Sequence, residues 1–156
     1  MALETTTNLK PETINYLQEL IQINVDSRDG FRQAAQDIDD MTISQLFLQL
    51  ADEREQQATQ LSQYVELNQE TPNRSGSFAA ALHRSWMSLR ELLTTDNTKA
   101  ILEEAERGED QIKSAYENAI RETSGSAVND VLLRQYAKVK TAHDRVRDLR
   151  DQYQTL

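Results

Sequence analysis

The sequence predicts an all-α protein: a four-helix bundle with one long crossover connection. Three observations carry that expectation. The chain has only four Gly and two Pro in 156 residues, and aromatics are 6%, too few turn and strand formers for a sandwich or barrel. Apolar residues recur at spacings of three and four, never in sustained alternation. The four longest periodic segments have matched lengths of about 26–28 residues, roughly 40 Å each, as a bundle requires.

Residues 1–9 read as a flexible, Thr-rich lead-in, and 10–154 as a single domain. Pro11 suits the first position of a helix. Ile14, Leu17, Ile21, Asn24, Arg28, Phe31, Ala35 and Ile38 then follow at alternating steps of three and four, predicting a first helix over 11–38. DIDDMT interrupts it. Thr42 and Gln45 have capping-box spacing, so the second helix is expected over 43–68, with Ile43, Leu46, Leu50, Arg54, Gln57, Leu61, Tyr64 and Val65 inward. ETPNRSGS (70–77) is rich in turn residues. Ser77 then starts a shorter amphipathic helix, 78–94, striped by Phe78, Leu82, Trp86, Leu89 and Leu93. Asp96 is a candidate cap for a third long helix over 97–122. TSGS (123–126) ends that helix, and Ser126 is placed to cap a fourth over 127–154. Val128, Leu132, Gln135, Val139, Ala142, Val146, Leu149 and Tyr153 form its stripe.

Short links join the first helix to the second and the third to the fourth, which predicts two antiparallel hairpins. The 28 residues between the second and third helices are too many for a hairpin but enough to return along the bundle. Two hairpins joined by one long crossover define the ferritin-like topology. The expectation is therefore a ferritin-like four-helix bundle with one short helix in the crossover. The alternative is an up-down bundle capped by a fifth helix.

The net charge of −9 disfavours nonspecific nucleic-acid binding. The absence of Cys excludes disulfides and thiolate chemistry. No apolar run is long enough to span a membrane, and the N-terminus lacks the apolar core of a signal peptide. A cytoplasmic protein without membrane or nucleic-acid partners is expected. Neither a Ser-His-Asp set nor a phosphate-binding loop is present, so no catalytic residue is assigned. The basic stretch RVRDLR (145–150) is interleaved with acids and reads as surface pairing.

The stretch ILEEAERGED (101–110) holds five carboxylates within eight residues. On a helical wheel Glu103, Glu106 and Asp110 point away from the apolar face, Glu104 lies at its edge, and Glu109 falls inside it. Gly108 also points inward and, with Ala105, Ala115 and Ala119, is expected to let a neighbour approach closely. The other helices interrupt their apolar faces near the same height, with Asn24, Arg28, Glu53, Arg54, Gln57, Gln135 and His143. The pattern predicts a polar layer at mid-bundle, which costs stability unless its groups pair.

Two arrangements satisfy such a layer. In one, Arg54, with or without Arg28, pairs with Glu53 and Glu109, His143 joins by hydrogen bonding, and no ligand is needed. In the other, Glu53, Glu109 and His143 hold iron or another transition metal. Di-iron bundles use two lone Glu and two Glu-x-x-His motifs. Here Gln56 stands three residues after Glu53, and Lys140 three before His143, so the di-iron motif is degenerate. No cofactor is expected from the first arrangement. His83 and Trp86 read as a hydrogen-bonded structural histidine and a core anchor, and the five tyrosines as wet-ended core aromatics.

Several stretches also resemble one family. DGFRQAA (29–35), LADERE (50–55), SGSFAAALHRSW (75–86), ILEEAERGED (101–110) and AHDRVRDL (142–149) are similar to small bacterial proteins grouped as domain of unknown function 2383, over about 13–152. The resemblance implies a ferritin-like bundle, a fold often used to store or oxidise iron, though fold alone assigns no activity. The expected function is a non-enzymatic bundle; the alternative is a metal-dependent protein binding or oxidising iron at mid-bundle. Self-association as a homodimer is expected, with Ile23, Val25 and Leu48 lying off the main stripes and facing the partner.

Overall fold

The computed structural model describes residues 4–74, 89, 91 and 97–154. They form four long helices: α1 Pro11–Asp37, α2 Met41–Leu67, α3 Thr98–Glu122 and α4 Asn129–Gln154. Among the described residues there is no strand, only an isolated bridge between Thr5 and Asn8. The architecture is a four-helix bundle.

Two apolar clusters fix the directions of the helices. One gathers Leu17 and Leu20 of α1, Leu61 and Val65 of α2, Ile112 and Ala119 of α3, and Val128 and Leu132 at the start of α4. The other gathers Phe31 and Ala34, Ile43 and Phe47, Ile101 and Leu102, and Ala142 and Val146. Each end of the bundle thus holds the start of two helices and the finish of the other two. It follows that α1 runs antiparallel to α2 and α3 antiparallel to α4, while α2 and α3 run in the same direction. Asn68 and Asn97, which the connection joins, therefore lie at opposite ends of the bundle. The shorter helix expected at 78–94, with His83 and Trp86, lies largely outside the described residues. Within that range, Leu89 is helical and buried in the second cluster.

The caps differ from the expected ones. α2 starts two residues earlier than predicted, because Asp40 rather than Thr42 is its N-cap. The Asp40 carboxylate accepts from the Thr42 and Ile43 amides at 2.9 and 3.1 Å. Its second oxygen accepts from the Tyr153 hydroxyl, tying the end of α4 to the α1–α2 turn. Asn97 caps α3 by accepting from the Ala100 amide at 3.1 Å; Asp96 lies outside the described residues. Ser126 Oγ accepts from the Val128 amide at 3.2 Å, ahead of the first helical residue of α4. The Tyr153 hydroxyl and the two amides hold the Asp40 carboxyl below its ordinary value. A depressed carboxyl contributes stability above its unfolded value and loses it as pH falls through the native one. Asp40→Ala should therefore cost about 1 kcal/mol at neutral pH, and less in acid. Thermal melts at both pH values test this.

Three further expectations need correction. Phe47, rather than Leu46, takes the inward position of α2: it is fully buried and its ring lies 5.2 Å from that of Phe31. Ile43, Phe47, Leu50, Arg54, Gln57 and Leu61 keep the strict alternation of four and three, and Ala51, Ala58, Ser62 and Val65 beside them are buried as well, so the inward face is broader than a single stripe. Ile23 and Val25 are buried within the chain, leaving no partner-facing role for them. Residues 4–9 are not detached from the bundle. Leu9 is buried, and its amide donates to Asn68 Oδ1 at 2.9 Å. The Glu4 carboxylate accepts from Thr13 Oγ1 at 2.8 Å and from the Lys10 and Ala127 amides at 3.0 and 3.1 Å.

Candidate functional site

The two apolar clusters leave a gap at mid-bundle, between Val25 and Phe31 on α1, Ala51 and Ala58 on α2, Ala105 and Ile112 on α3, and Val139 and Ala142 on α4. Polar side chains fill it. Each is there because its position falls on the inward stripe of an otherwise amphipathic helix.

At the centre Arg54 of α2 is ion-paired and hydrogen-bonded to Glu109 of α3, with side-chain exposures of 0% and 1%. Arg54 Nε also donates to Ser27 Oγ of α1 at 3.3 Å. Its Nη1 has no partner among the described residues. Removal from water pushes the Glu109 carboxyl above its ordinary value. The charge and hydrogen bond of Arg54 pull it back, His143 helps, and Glu53 opposes. Desolvation outweighs the attraction because both charges are fully enclosed.

A second group lies toward the α1 N-terminus. Asn24 Nδ2 donates to the Tyr116 hydroxyl at 2.8 Å and to the Leu20 carbonyl at 2.8 Å. The Tyr116 hydroxyl donates to Gln135 Oε1 at 2.7 Å. Gln135 Nε2 then donates to Gln60 Oε1 at 2.8 Å and to the Gln57 carbonyl at 3.3 Å. Asn24 Oδ1 and both amide atoms of Gln57 are buried without a partner among the described residues. Burial raises the Tyr116 phenol well above its ordinary value, so it stays neutral and keeps its donor.

The remaining expected members lie at the edges. Arg28 is not part of the interior: it is partly exposed and pairs with Glu55 at 2.5 Å and Asp29 at 2.8 Å. Ser27 occupies the inward position beside it. Glu53 pairs with Arg145 at 3.2 Å, and its Oε2 is buried without a partner among the described residues. His143 sits at the α3–α4 seam, with Nε2 2.7 Å from Asp110 and 3.7 Å from Glu106, and Nδ1 3.3 Å from Asp144. Glu106 also pairs with Arg150. Most of the carboxylate run of α3 is thus a solvated, ion-paired face, while Glu104 is buried against Arg107 at 2.5 Å and Glu109 sits inside.

Gly108 does not mediate a close approach. A Cβ built there meets nothing within 4 Å, although the residue is buried. Gly in a helix interior costs roughly 0.5–1 kcal/mol relative to Ala through backbone entropy. Gly108→Ala should therefore raise stability by about that amount, and a lowered unfolding midpoint would contradict the open space beside it.

Ser27 and Tyr116 were not expected in the layer. Ser27 stands one residue before Arg28, where the wheel favoured the longer side chain. Tyr116 lies on the apolar face of α3, and the expected wet-ended core aromatic is instead fully buried, its hydroxyl turned into the layer. A phenol on that face, level with Asn24 on α1, was the available signal.

The residues present do not fit a dinuclear metal centre. Among the described residues no group of three or more His, Cys, Asp or Glu is arranged to hold a metal ion. Glu109 is engaged by a guanidinium that stays charged. Glu53, Glu109 and His143 are near enough for Glu109 to feel both other charges, but the direct partners of His143 are Asp110, Glu106 and Asp144.

The profile of the family described as Domain of unknown function (DUF2383) matches residues 12–122. The chain belongs to that family. The matched span covers α1 to α3, including Arg54, Glu109 and Tyr116, and stops where α3 ends. The likeness seen in AHDRVRDL of α4 lies beyond it, so Gln135 and His143 are outside the matched region of this family member. No match was found among curated proteins. No helix among the described residues is long and apolar enough to cross a membrane.

Proposed function

We propose that this chain is a ferritin-like helical bundle without enzymatic activity, in which a buried ion pair occupies the level where related folds hold metal. It acts through its surface and pairs as a cytoplasmic homodimer. The observation that carries the reading is Arg54, fully buried and bonded to Glu109. A permanent cation there supplies the positive charge that an inward carboxylate needs and repels a second cation. The ferritin-like assignment is supported by the two antiparallel hairpins and the shared direction of α2 and α3. Self-association is supported by Met41 and Leu48, 70% and 47% exposed and a heptad apart on α2.

The test is metal content after anaerobic loading with Fe²⁺ and desalting. The expected result is substoichiometric iron and no fast oxidation, with a dimer in sedimentation that Leu48→Glu dissociates. A second reading has its own support in the buried, unpartnered Glu53 Oε2: a mononuclear site drawing on Glu53, Glu109 and His143. Its affinity would fall as pH drops, because a ligating imidazole must be neutral. A stoichiometric iron load that His143→Ala abolishes would replace the first reading with the second.

A further inference from the structure

We propose that residues 4–9 form a clasp over one end of the bundle, closed by the Glu4 carboxylate, that opens in acid while the four helices stay folded. The segment precedes α1 and lies ahead of the matched family span. It turns back on itself through the bridge between Thr5 and Asn8. Two polar anchors and one apolar plug hold it against three helix ends.

Glu4 is the first anchor. Its Oε2 accepts from the Lys10 amide at 3.0 Å and from Thr13 Oγ1 at 2.8 Å, at the start of α1. Its Oε1 accepts from Ser126 Oγ and from the Ala127 amide at 3.1 Å, just ahead of α4. α1 and α4 both begin at this end of the bundle, so one carboxylate lies near the positive ends of two helix dipoles. Asn68, the C-cap of α2, is the second anchor. Its Oδ1 accepts from the Leu9 amide at 2.9 Å, and its Nδ2 donates to the Thr6 carbonyl at 2.8 Å. The plug is Leu9, buried in the apolar cluster that holds Leu17, Val65 and Val128.

Of these contacts only those of Glu4 depend on charge. Lys10 and Thr13 face it from the α1 side, and Ser126 and Ala127 from the α4 side. Lys10 contributes its amide rather than its ammonium, so the four partners are two amides and two hydroxyls. Amides only donate, so the arrangement fits an ionised carboxylate and leaves the proton of a carboxylic acid poorly placed. Partial burial pushes the Glu4 carboxyl up, but the donors, Ser126 foremost, hold it below its ordinary value. A carboxyl depressed in the closed form favours closure above its open-state value and stops favouring it as pH falls through the lower, closed-state value. The plug and the Asn68 bonds remain, but a short segment with one buried apolar side chain belongs to the low end of local stability. The other depressed carboxyls act elsewhere. Asp40 caps α2 at the opposite end, and Glu55 pairs with Arg28 and Arg74.

The experiment follows amide hydrogen exchange of the full chain by NMR from neutral pH into acid, expressed as protection factors, which remove the intrinsic pH dependence of exchange. The Leu9 amide reports the clasp, and the Leu61 and Val139 amides report the bundle. In the parent the Leu9 factor should fall by up to about tenfold per pH unit below about 4.5 and then level off, while those of Leu61 and Val139 remain far larger. Glu4→Gln should show a Leu9 factor already lowered at neutral pH and flat into acid. Leu9→Ala weakens the plug but keeps the carboxylate, so it should lower protection at position 9 at every pH and retain the fall. A Leu9 factor that does not fall in acid overturns the proposal. So does one equal to those of Leu61 and Val139, because the clasp would then open only with the whole bundle. A Glu4→Gln variant that keeps the parent's protection and its fall in acid overturns it as well.

Discussion

Glu109→Ala is expected to destabilise the chain by about 3–5 kcal/mol, the largest single-site effect anticipated. Among the described residues, the substitution leaves the fully buried Arg54 guanidinium with Ser27 alone as a partner, at 3.3 Å from Nε, and Nη1 already unpartnered. An uncompensated charge in a low-dielectric interior is costly, and the neighbouring Glu53 carboxylate is already paired with Arg145 at 3.2 Å. Arg54→Ala should cost a similar amount by orphaning Glu109. The double change Arg54→Met/Glu109→Leu should recover most of the loss, because apolar side chains of similar volume remove the desolvation penalty altogether. Urea unfolding of the parent, both single variants and the double variant gives the coupling between the two residues. Additive single losses would show that the pair does not act as a unit. The pair also has a pH signature. The Glu109 carboxyl is raised above its ordinary 4.5, so the native state holds this proton more tightly than the unfolded chain does. The group therefore makes stability decline as pH rises from about 4.5 through its native value. The double variant should lack that decline.

Tyr116→Phe should cost about 1–3 kcal/mol, although it removes one oxygen and leaves the ring in place. The hydroxyl is both an acceptor for Asn24 Nδ2 and the donor to Gln135 Oε1, at 2.8 and 2.7 Å. Its loss orphans Gln135 Oε1 and weakens the hold on Asn24, whose own Oδ1 has no partner among the described residues. The Leu20 carbonyl still accepts from Asn24 Nδ2, which keeps the cost below that of breaking the charged pair. Adding Gln135→Leu should restore part of the loss, since it removes the orphaned acceptor. If equilibrium unfolding shows Tyr116→Phe to be as stable as the parent, the buried chain from Asn24 to Gln60 contributes little, and packing of the ring alone holds this level together.

Helical periodicity alone determined the four long helices, nearly to their ends, because an amphipathic stripe can bury its apolar face in only one way. It also placed Glu109 and Arg54 inside, since a residue's angular position on a helix follows from its number once the stripe is known. The separation of a solvated carboxylate face from one interior carboxylate on α3 was legible for the same reason. What periodicity cannot supply is the rotation and spacing of one helix against another. That is why Arg28 was expected in the layer and lies at its edge, with Ser27 inward. It is why Gly108 was read as a point of close approach and faces open space. Burial of Ile23 and Val25 likewise depends on what covers a second side of α1, and no stripe records that. The cap of α2 turned on a competition between Asp40 and Thr42, decided by the carboxylate reaching two amides while the Tyr153 hydroxyl from the far end of the chain fixed its other oxygen. Only tertiary structure could bring Tyr116, Gln135 and Gln57 to one level, because their hydrogen bonds join helices distant in sequence, and hydrogen bonds form only between atoms already placed at the right distance.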